Sequence, residues 1–153
     1  MDAERRLAEL ELELPPPTRP LASYIPVRVA SGFAYVSGQV PLDGGVPMWT
    51  GKLGREVDVA AGAEAARRCA LQALSVLRDS LGSLDRVRGI VKVTVFVASA
   101  EGFTEQPKVA NGASDLFVEV FGDAGRHARS AVGLAELPLG VPVEVEVIAE
   151  LEA

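Results

Sequence analysis

Leucines recur at helical spacing between charged side chains near the start of the chain. This pattern covers residues 5–14, and three prolines follow at 15–17. Because proline cannot continue a helix, the pattern predicts a short amphipathic helix followed by an extended linker. Residues 1–17 are therefore interpreted as an N-terminal extension.

A β-hairpin is predicted next. Two short β-like runs, residues 25–29 and 33–37, are separated by Ser31-Gly32, a dipeptide that favours a tight turn. The stretch 42–54 contains several glycines and a proline, and it is predicted to be a loop.

The longest helical pattern begins after Asp58, a good N-cap residue, and ends at Gly82. One side of this helix is predicted to pack on the core: Ala63, Ala66, Ala70, Leu74, Leu77 and Leu81. The outward side is predicted to contain Glu64, Arg67, Gln72, Arg78 and Asp79.

Three strands and a second helix complete the pattern. Residues 90–97 are β-branched almost throughout, which is typical of a strand buried on both faces. Residues 111–121 form a second helical pattern closed by Gly122, and 129–137 and 143–151 are predicted to be the last two strands.

The predicted order of elements is β-β-α-β-α-β-β. This order favours an α+β fold in which two helices pack on one face of a mixed sheet, with a single domain over residues 1–153. Such a layout leaves the other face of the sheet uncovered. We therefore expect homo-oligomerisation, which buries that face against other copies of the chain.

Composition narrows the range of partners. With 153 residues, of which 48% are hydrophobic, the chain can bury a substantial core. Its net charge of -6 offers no basic surface for nucleic acid or anionic lipid. No apolar run approaches membrane-spanning length, so no membrane insertion is expected. The single cysteine, Cys69, excludes an intrachain disulfide and favours a reducing compartment, so a cytoplasmic location is predicted.

No metal or cofactor is predicted. One histidine and one cysteine cannot form the clusters that zinc or iron sites require. Gly51-Lys52 is followed by Leu53 instead of the serine or threonine of a phosphate-binding loop, and no dinucleotide motif is present. A Ser-His-Asp triad would have to use His127, which has no supporting motif.

Arg129 is a candidate anchor for a substrate carboxylate. Strand alternation places it on one face with Ala131, Gly133 and Ala135, and these small neighbours leave room beside the guanidinium. A guanidinium binds a carboxylate through two parallel hydrogen bonds. The alternative interpretation is a structural ion pair at a strand edge.

Glu144 shares a strand face with Glu146 and Ile148, as on an ordinary solvated face. If the last two strands formed a tight hairpin, Arg129 would lie about 20 Å from Glu144 by strand rise. Cooperation between the two residues therefore requires non-adjacent strands or two different chains.

Four other residues have ordinary structural interpretations. Asn111, the only asparagine, precedes Gly112 and is interpreted as a helix N-cap. Tyr24 fits a partly buried strand aromatic. His127 either borders the pocket of Arg129 or lies in an exposed turn. Cys69 fits a small core residue better than a reactive thiol.

Several short segments match a known pattern in order. They are Tyr24, Tyr35-Val36-Ser37-Gly38-Gln39-Val40-Pro41, Val95-Phe96-Val97, Arg129-Ser130, Leu137-Pro138 and Val143-Glu144-Val145-Glu146. Together they resemble the RidA/YjgF/liver perchloric-acid-soluble-protein superfamily over residues 24–151. The resemblance implies a chorismate-mutase-like fold and a homotrimer with a central barrel and pockets at the subunit interfaces.

Deaminase members of that superfamily hydrolyse reactive enamines and imines, such as 2-aminoacrylate, to 2-oxo acids and ammonia. The resemblance implies that Arg129 binds the substrate carboxylate and that Glu144 and Tyr24 position the attacking water. Gly38 and Asn111 fall on pocket-lining positions. Ala131 stands where the deaminase branch often has cysteine, and residues 101–110 are extra relative to the pattern.

Three functions are consistent with these residues. The first is a metal-free enamine and imine hydrolase. The second is a non-catalytic module that binds a small carboxylate such as a 2-oxo acid. Arg129 serves both, whereas only hydrolysis needs Glu144. The third, an endoribonuclease, conflicts with the acidic net charge.

Overall fold

The computed structural model describes residues 2–20 and 22–153, and Met1 and Leu21 lie outside the described residues. The helices of this part of the chain are α1 (Ala3–Glu9), α2 (Val59–Leu81) and α3 (Gln106–Phe121). Its strands are β1 (Val27–Ala30), β2 (Phe33–Gln39), β3 (Leu42–Asp43), β4 (Val46–Pro47), β5 (Val87–Ala98), β6 (Ala128–Leu134) and β7 (Val143–Leu151). None of these helices has the length and apolar composition needed to cross a membrane.

Five of the strands form a mixed sheet in the order β1-β2-β7-β5-β6. β5 and β6 are parallel, and the other neighbouring strands are antiparallel. The long helices α2 and α3 pack against each other and against the sheet. The predicted α+β class with a mixed sheet is confirmed. The predicted loop over 42–54 instead contains a short hairpin of β3 and β4.

Local signals determine both ends of α2, as predicted. The Asp58 carboxylate accepts a hydrogen bond from the Ala61 backbone N–H at 2.8 Å, which satisfies one of the free donors of the first turn. Gly82 follows the last turn in the left-handed conformation. Cys69, within this helix, is completely buried, in agreement with its interpretation as a core residue.

The N-terminal segment packs on α2, which the helical pattern alone did not indicate. Ser75 Oγ donates a hydrogen bond to the Pro15 carbonyl, and residues 15–17 line a cavity together with Gln72. Because this side of α2 is covered, Gln72 is only 3% exposed, and the prediction that it faces solvent is wrong. Three leucines of the segment also pack against the core: Leu10, Leu12 and Leu14.

Helix α1 ends five residues earlier than predicted and is fixed to the rest of the chain by specific contacts. Leu7 is 2% exposed, within the main core cluster. The Glu4 carboxylate accepts hydrogen bonds from Arg78 Nη2 at 2.8 Å and from the Leu84 backbone N–H at 2.9 Å. The core thus includes side chains from the first helix as well as from the sheet.

The Leu7→Ala variant is expected to lower the free energy of unfolding by about 2–5 kcal/mol, because it removes buried methyl groups and leaves a cavity. Chemical denaturation followed by circular dichroism measures this change. Glu13→Ala, an exposed position in the same segment, serves as the control and should change stability by less than about 0.5 kcal/mol. Equal stability of the two variants would show that α1 does not contribute to the core.

Strand β5, which lies between β7 and β6, is buried on one face only. Its residues on the helix-facing side are fully buried: Val93, Val95 and Val97. Its residues on the other side are half-buried: Lys92, Thr94 and Phe96. The prediction of burial on both faces is therefore wrong for a single chain. The outward face of the sheet also exposes Tyr35 on β2 and Val132 on β6, by 45% and 41%.

Candidate functional site

Arg129 lies on the helix-facing side of the sheet, at its edge. In the parallel pairing of β5 and β6, Arg129 is in register with Val93, and Ala131 with Val95. Paired residues of neighbouring strands point to the same face, and both valines are buried beneath the helices. The Arg129 side chain consequently reaches α3, and Ala131 packs against the core on the same face.

The guanidinium of Arg129 is held by neutral acceptors. Its Nη1 donates to Asn111 Oδ1 at 2.8 Å and to Ser114 Oγ at 3.1 Å, and its Nη2 approaches the Pro107 carbonyl at 3.4 Å. In the described part of the chain no carboxylate lies within ion-pair distance of it. The interpretation of Arg129 as a structural ion pair is therefore wrong, because its partners are an amide, a hydroxyl and a carbonyl.

Asn111 lies inside α3 and not at its start. The helix begins at Gln106 with Pro107 in its first turn, a position that proline favours because its missing N–H needs no partner there. Residues 106–110, predicted to precede the helix, instead form its first turn and a half. The N-cap interpretation of Asn111 is therefore wrong. Its side chain is available to Arg129.

A close contact between the two long helices determines the position of α3 relative to α2. A Cβ atom at Gly112 would come within 1.9 Å of the Ala63 carbonyl oxygen, so only glycine allows α2 and α3 to approach this closely. Asn111 and Ser114 are three residues apart and so share one face of α3, the face towards Arg129. Ser114 was not predicted from the sequence, although its spacing from Asn111 was a signal for it.

His127 borders the same groove as Arg129. This groove has a volume of about 640 Å³, and both residues line it with Ser114. His127 is half-buried, so the interpretation as an exposed turn residue is wrong. Burial lowers its pKa, with a smaller contribution from the positive charge of Arg129. The neutral imidazole is consequently favoured.

Glu144 lies on the opposite face of the sheet. It is in register with Phe96 of β5, on the side away from the helices. The pairing of β2 with β7 is irregular between Val36 and Gln39, and within this bulge a Cβ atom at Gly38 would come within 1.8 Å of Glu144 Oε1. Glycine at position 38 therefore makes room for the Glu144 carboxyl group.

Burial raises the pKa of Glu144, with a further contribution from the negative charge of Glu146. A carboxylate with a raised pKa is a stronger base than an ordinary one, and it remains ionised near neutral pH when the shift is moderate. Tyr24 precedes β1 and is 55% exposed, so the interpretation as a partly buried strand aromatic is wrong. It lines a cavity of about 410 Å³ together with Gly38. Gly38 thus lies beside Glu144 and also lines the cavity of Tyr24.

The six candidate residues form two groups. The arginine half consists of Arg129, Asn111 and Ala131, and the glutamate half consists of Glu144, Gly38 and Tyr24. β5 lies between β6 and β7, so the last two strands do not form a hairpin. Because the halves lie on opposite faces of the sheet, one chain does not bring them together.

Among residues 2–20 and 22–153, no group of three or more histidine, cysteine, aspartate or glutamate side chains is arranged to hold a metal ion.

Comparison with known proteins assigns the chain to a family. The family model described as "YjgF/chorismate_mutase-like, putative endoribonuclease" matches residues 4–151. The chain belongs to this family. Within the YjgF family it is 47% identical over 146 residues to Protein TCP17 of Trypanosoma cruzi, an alignment that covers 95% of this chain and 91% of that protein.

Solved structures agree with the YjgF assignment. The protein Atu1372 of Agrobacterium tumefaciens, a protein of unknown function, is 43% identical with a TM-score of 0.90, over 98% of this chain and 92% of that one. A Shewanella oneidensis protein named "putative endoribonuclease" is 34% identical with a TM-score of 0.93, over 97% of this chain and 99% of that one. The YjgF/chorismate-mutase-like fold is therefore confirmed.

Proposed function

We propose that the protein hydrolyses reactive enamines and imines of the 2-aminoacrylate type to 2-oxo acids and ammonia, without a metal. The observation that supports this best is the set of neutral acceptors around Arg129. The hydrogen-bond acceptors around the guanidinium carry no negative charge, so its positive charge is available to a ligand in the groove. Its Nε and Nη2 form one edge on which donors remain for a carboxylate.

The chemistry requires orientation of the substrate and a base that accepts one proton. In the imine form of the substrate, water adds to the imine carbon and the nitrogen takes up a proton. The resulting carbinolamine then loses ammonia and becomes the 2-oxo acid. Arg129 binds the carboxylate, and Glu144 accepts a proton from the attacking water. Tyr24 helps to position that water, while Gly38, Asn111 and Ala131 line the pocket.

We infer that the site forms between two copies of the chain in a homotrimer. The arginine half of one copy and the glutamate half of its neighbour would then face the same pocket. This arrangement accounts for the location of the two halves on opposite faces of one sheet. Assembly also covers the outward face of the sheet, where Tyr35 and Val132 are exposed in the single chain. We also propose that the protein acts in the cytoplasm, on the basis of its composition.

A direct assay tests the proposed activity. Freshly generated 2-aminoacrylate and longer imino acids are supplied, and release of the 2-oxo acid is followed. We expect release above the spontaneous rate and no loss of activity on chelation. Light scattering should give the mass of three 16.1 kDa chains. A monomer at micromolar concentration, or activity restored only by a divalent ion, contradicts the proposal.

The names of some relatives point to RNA cleavage instead. The net charge of -6 argues against RNA as the physiological substrate, since phosphate binding depends on clustered basic residues. RNA cleavage that is salt-sensitive and is abolished by an Arg129 substitution would favour that alternative over the deaminase.

A further inference from the structure

Ser114 and His127 form a hydrogen-bonded chain behind Arg129. His127 Nδ1 lies 2.7 Å from the Gly125 carbonyl oxygen, and His127 Nε2 lies 2.9 Å from Ser114 Oγ. A carbonyl oxygen can only accept, so Nδ1 must be the protonated nitrogen. In the neutral imidazole Nε2 is then an acceptor, and the Ser114 hydroxyl donates its only hydrogen to it.

This direction of donation determines what Ser114 offers to Arg129. With its hydrogen on His127, the Ser114 oxygen presents lone pairs to Arg129 Nη1 at 3.1 Å. Asn111 Oδ1 accepts the other Nη1 hydrogen at 2.8 Å. Both hydrogens of Nη1 are thereby occupied. One Nη2 hydrogen is directed at the Pro107 carbonyl at 3.4 Å. The donors that remain are Nε–H and the second Nη2 hydrogen, a pair that matches a carboxylate side-on.

We propose that His127, acting through Ser114, is a positioning residue that orients the Arg129 guanidinium for the substrate carboxylate. The inference rests on the proposed function. Without His127 the Ser114 hydroxyl is free to rotate and to donate to Asn111 Oδ1, where it competes with Arg129. The guanidinium then loses a fixed partner.

The surroundings of His127 favour the neutral imidazole, which the hydrogen bond from Ser114 to Nε2 requires. Its ring meets Phe117 edge-on, with centroids 5.9 Å apart. The charged groups lining the same groove are Arg126 and Arg129, which disfavour an imidazolium, and Asp115 and Glu119, which favour it. Glu119 is paired with Arg67, which weakens its effect. Both ring nitrogens are hydrogen-bonded to the protein, so His127 acts on Arg129 through Ser114.

Three variants test the proposal through the affinity for pyruvate, the simplest 2-oxo acid, and through steady-state kinetics. His127→Phe keeps a planar ring beside Phe117 but accepts no hydrogen bond. Ser114→Ala removes the hydroxyl group that connects His127 to Arg129. Each is expected to raise Kd and KM about fivefold to tenfold with kcat changed by less than about twofold, the pattern of lost ground-state orientation. His127→Gln supplies an acceptor and should restore Kd to within about threefold.

The double variant His127→Phe/Ser114→Ala gives a sharper criterion. Because the two residues act in series, it should bind pyruvate no more weakly than Ser114→Ala alone, within about twofold. Additive effects overturn the proposal, as do equal affinities of His127→Phe and His127→Gln. Ser80→Ala, an exposed serine of α2, controls for nonspecific effects.

A measurement on the unchanged protein does not depend on the folding of variants. His127 is the only histidine, so its ring nitrogens give one set of NMR signals. We expect the neutral tautomer with hydrogen on Nδ1, and the Nε2–H tautomer would contradict the proposal. Pyruvate affinity unaffected by Arg129→Lys would instead contradict the proposed function. If Arg129→Lys weakens binding while His127→Phe and Ser114→Ala do not, only the positioning role fails.

Discussion

The Glu144→Gln variant is expected to hydrolyse imines with a kcat about 10²- to 10⁴-fold below that of the unchanged protein, the range that general-base catalysis contributes. Glutamine keeps the size and polarity of the side chain beside Gly38 but cannot accept a proton from water. Binding of a 2-oxo acid should be largely retained, because Arg129 and not Glu144 holds the carboxylate. Single-turnover kinetics together with pyruvate titration separate the two effects.

Glu146→Gln is the matched control, since Glu146 lies on the same face of β7 two residues away. Its kcat at neutral pH should change by less than about threefold. Removing this negative charge lowers the pKa of Glu144, which Glu146 raises. Activity requires ionised Glu144 and falls as the pH drops through its pKa, so the acid limb of the pH profile should move to lower pH. Full turnover by Glu144→Gln would favour a different catalyst, whereas hydrolysis by the unchanged protein at only the spontaneous rate would favour a carboxylate-binding module.

Replacing Arg129 with lysine should weaken binding of the substrate carboxylate by about 1.5–3 kcal/mol, the scale of a charge-assisted hydrogen bond. Lysine keeps the positive charge but lacks the planar pair of donors along the Nε and Nη2 edge. It also cannot donate to Asn111 and Ser114 while presenting two parallel donors to a ligand. Isothermal titration with pyruvate measures the loss directly.

Arg126→Lys is the control for this change. Arg126 lines the same groove and is exposed, and its nearest carboxylate is Asp123 at 3.8 Å. We expect its pyruvate affinity to stay within about twofold of that of the unchanged protein. If both variants bind equally well, Arg129 is not the carboxylate anchor. Sizing of each variant must accompany the titration, because a loss of assembly would lower affinity by itself.

Locally encoded features were predictable from the sequence. The ends of α2 follow from Asp58 and Gly82, whose side-chain and backbone chemistry act within one turn of the helix. The position of Gln72 was not predictable in this way. Its burial depends on prolines more than fifty residues away in the chain, and the helical pattern of α2 contains no information about them.

In the candidate site, too, local features were predictable from the sequence and features that depend on distant residues were not. Strand alternation correctly grouped Arg129 with Ala131, and Glu144 with Glu146. Which face each group occupies depends on the strand order, in which β5 separates β6 from β7. The N-cap interpretation of Asn111 failed because the predicted helix began at 111, whereas the observed helix begins at Gln106 with Pro107 in its first turn, where proline is favoured. The family resemblance named the residues, and the structure supplied their division into two halves.

The central claim is that each site takes Arg129 from one copy and Glu144 from its neighbour. Co-expressed Arg129→Lys and Glu144→Gln chains with different affinity tags can be purified as mixed oligomers that contain both. In a cyclic trimer of either composition, one site in three combines an unchanged Arg129 with an unchanged Glu144. We therefore predict that the mixed oligomers recover about a third of the kcat/KM of the unchanged protein, whereas the kcat/KM of each variant alone stays low.

The control pairs Glu144→Gln with the double variant Arg129→Lys/Glu144→Gln, which cannot form an intact site in any arrangement. It should show no recovery. If the mixed oligomers of the two single variants are as inactive as this control, the arginine and glutamate halves do not meet between copies, and the account of the site is contradicted.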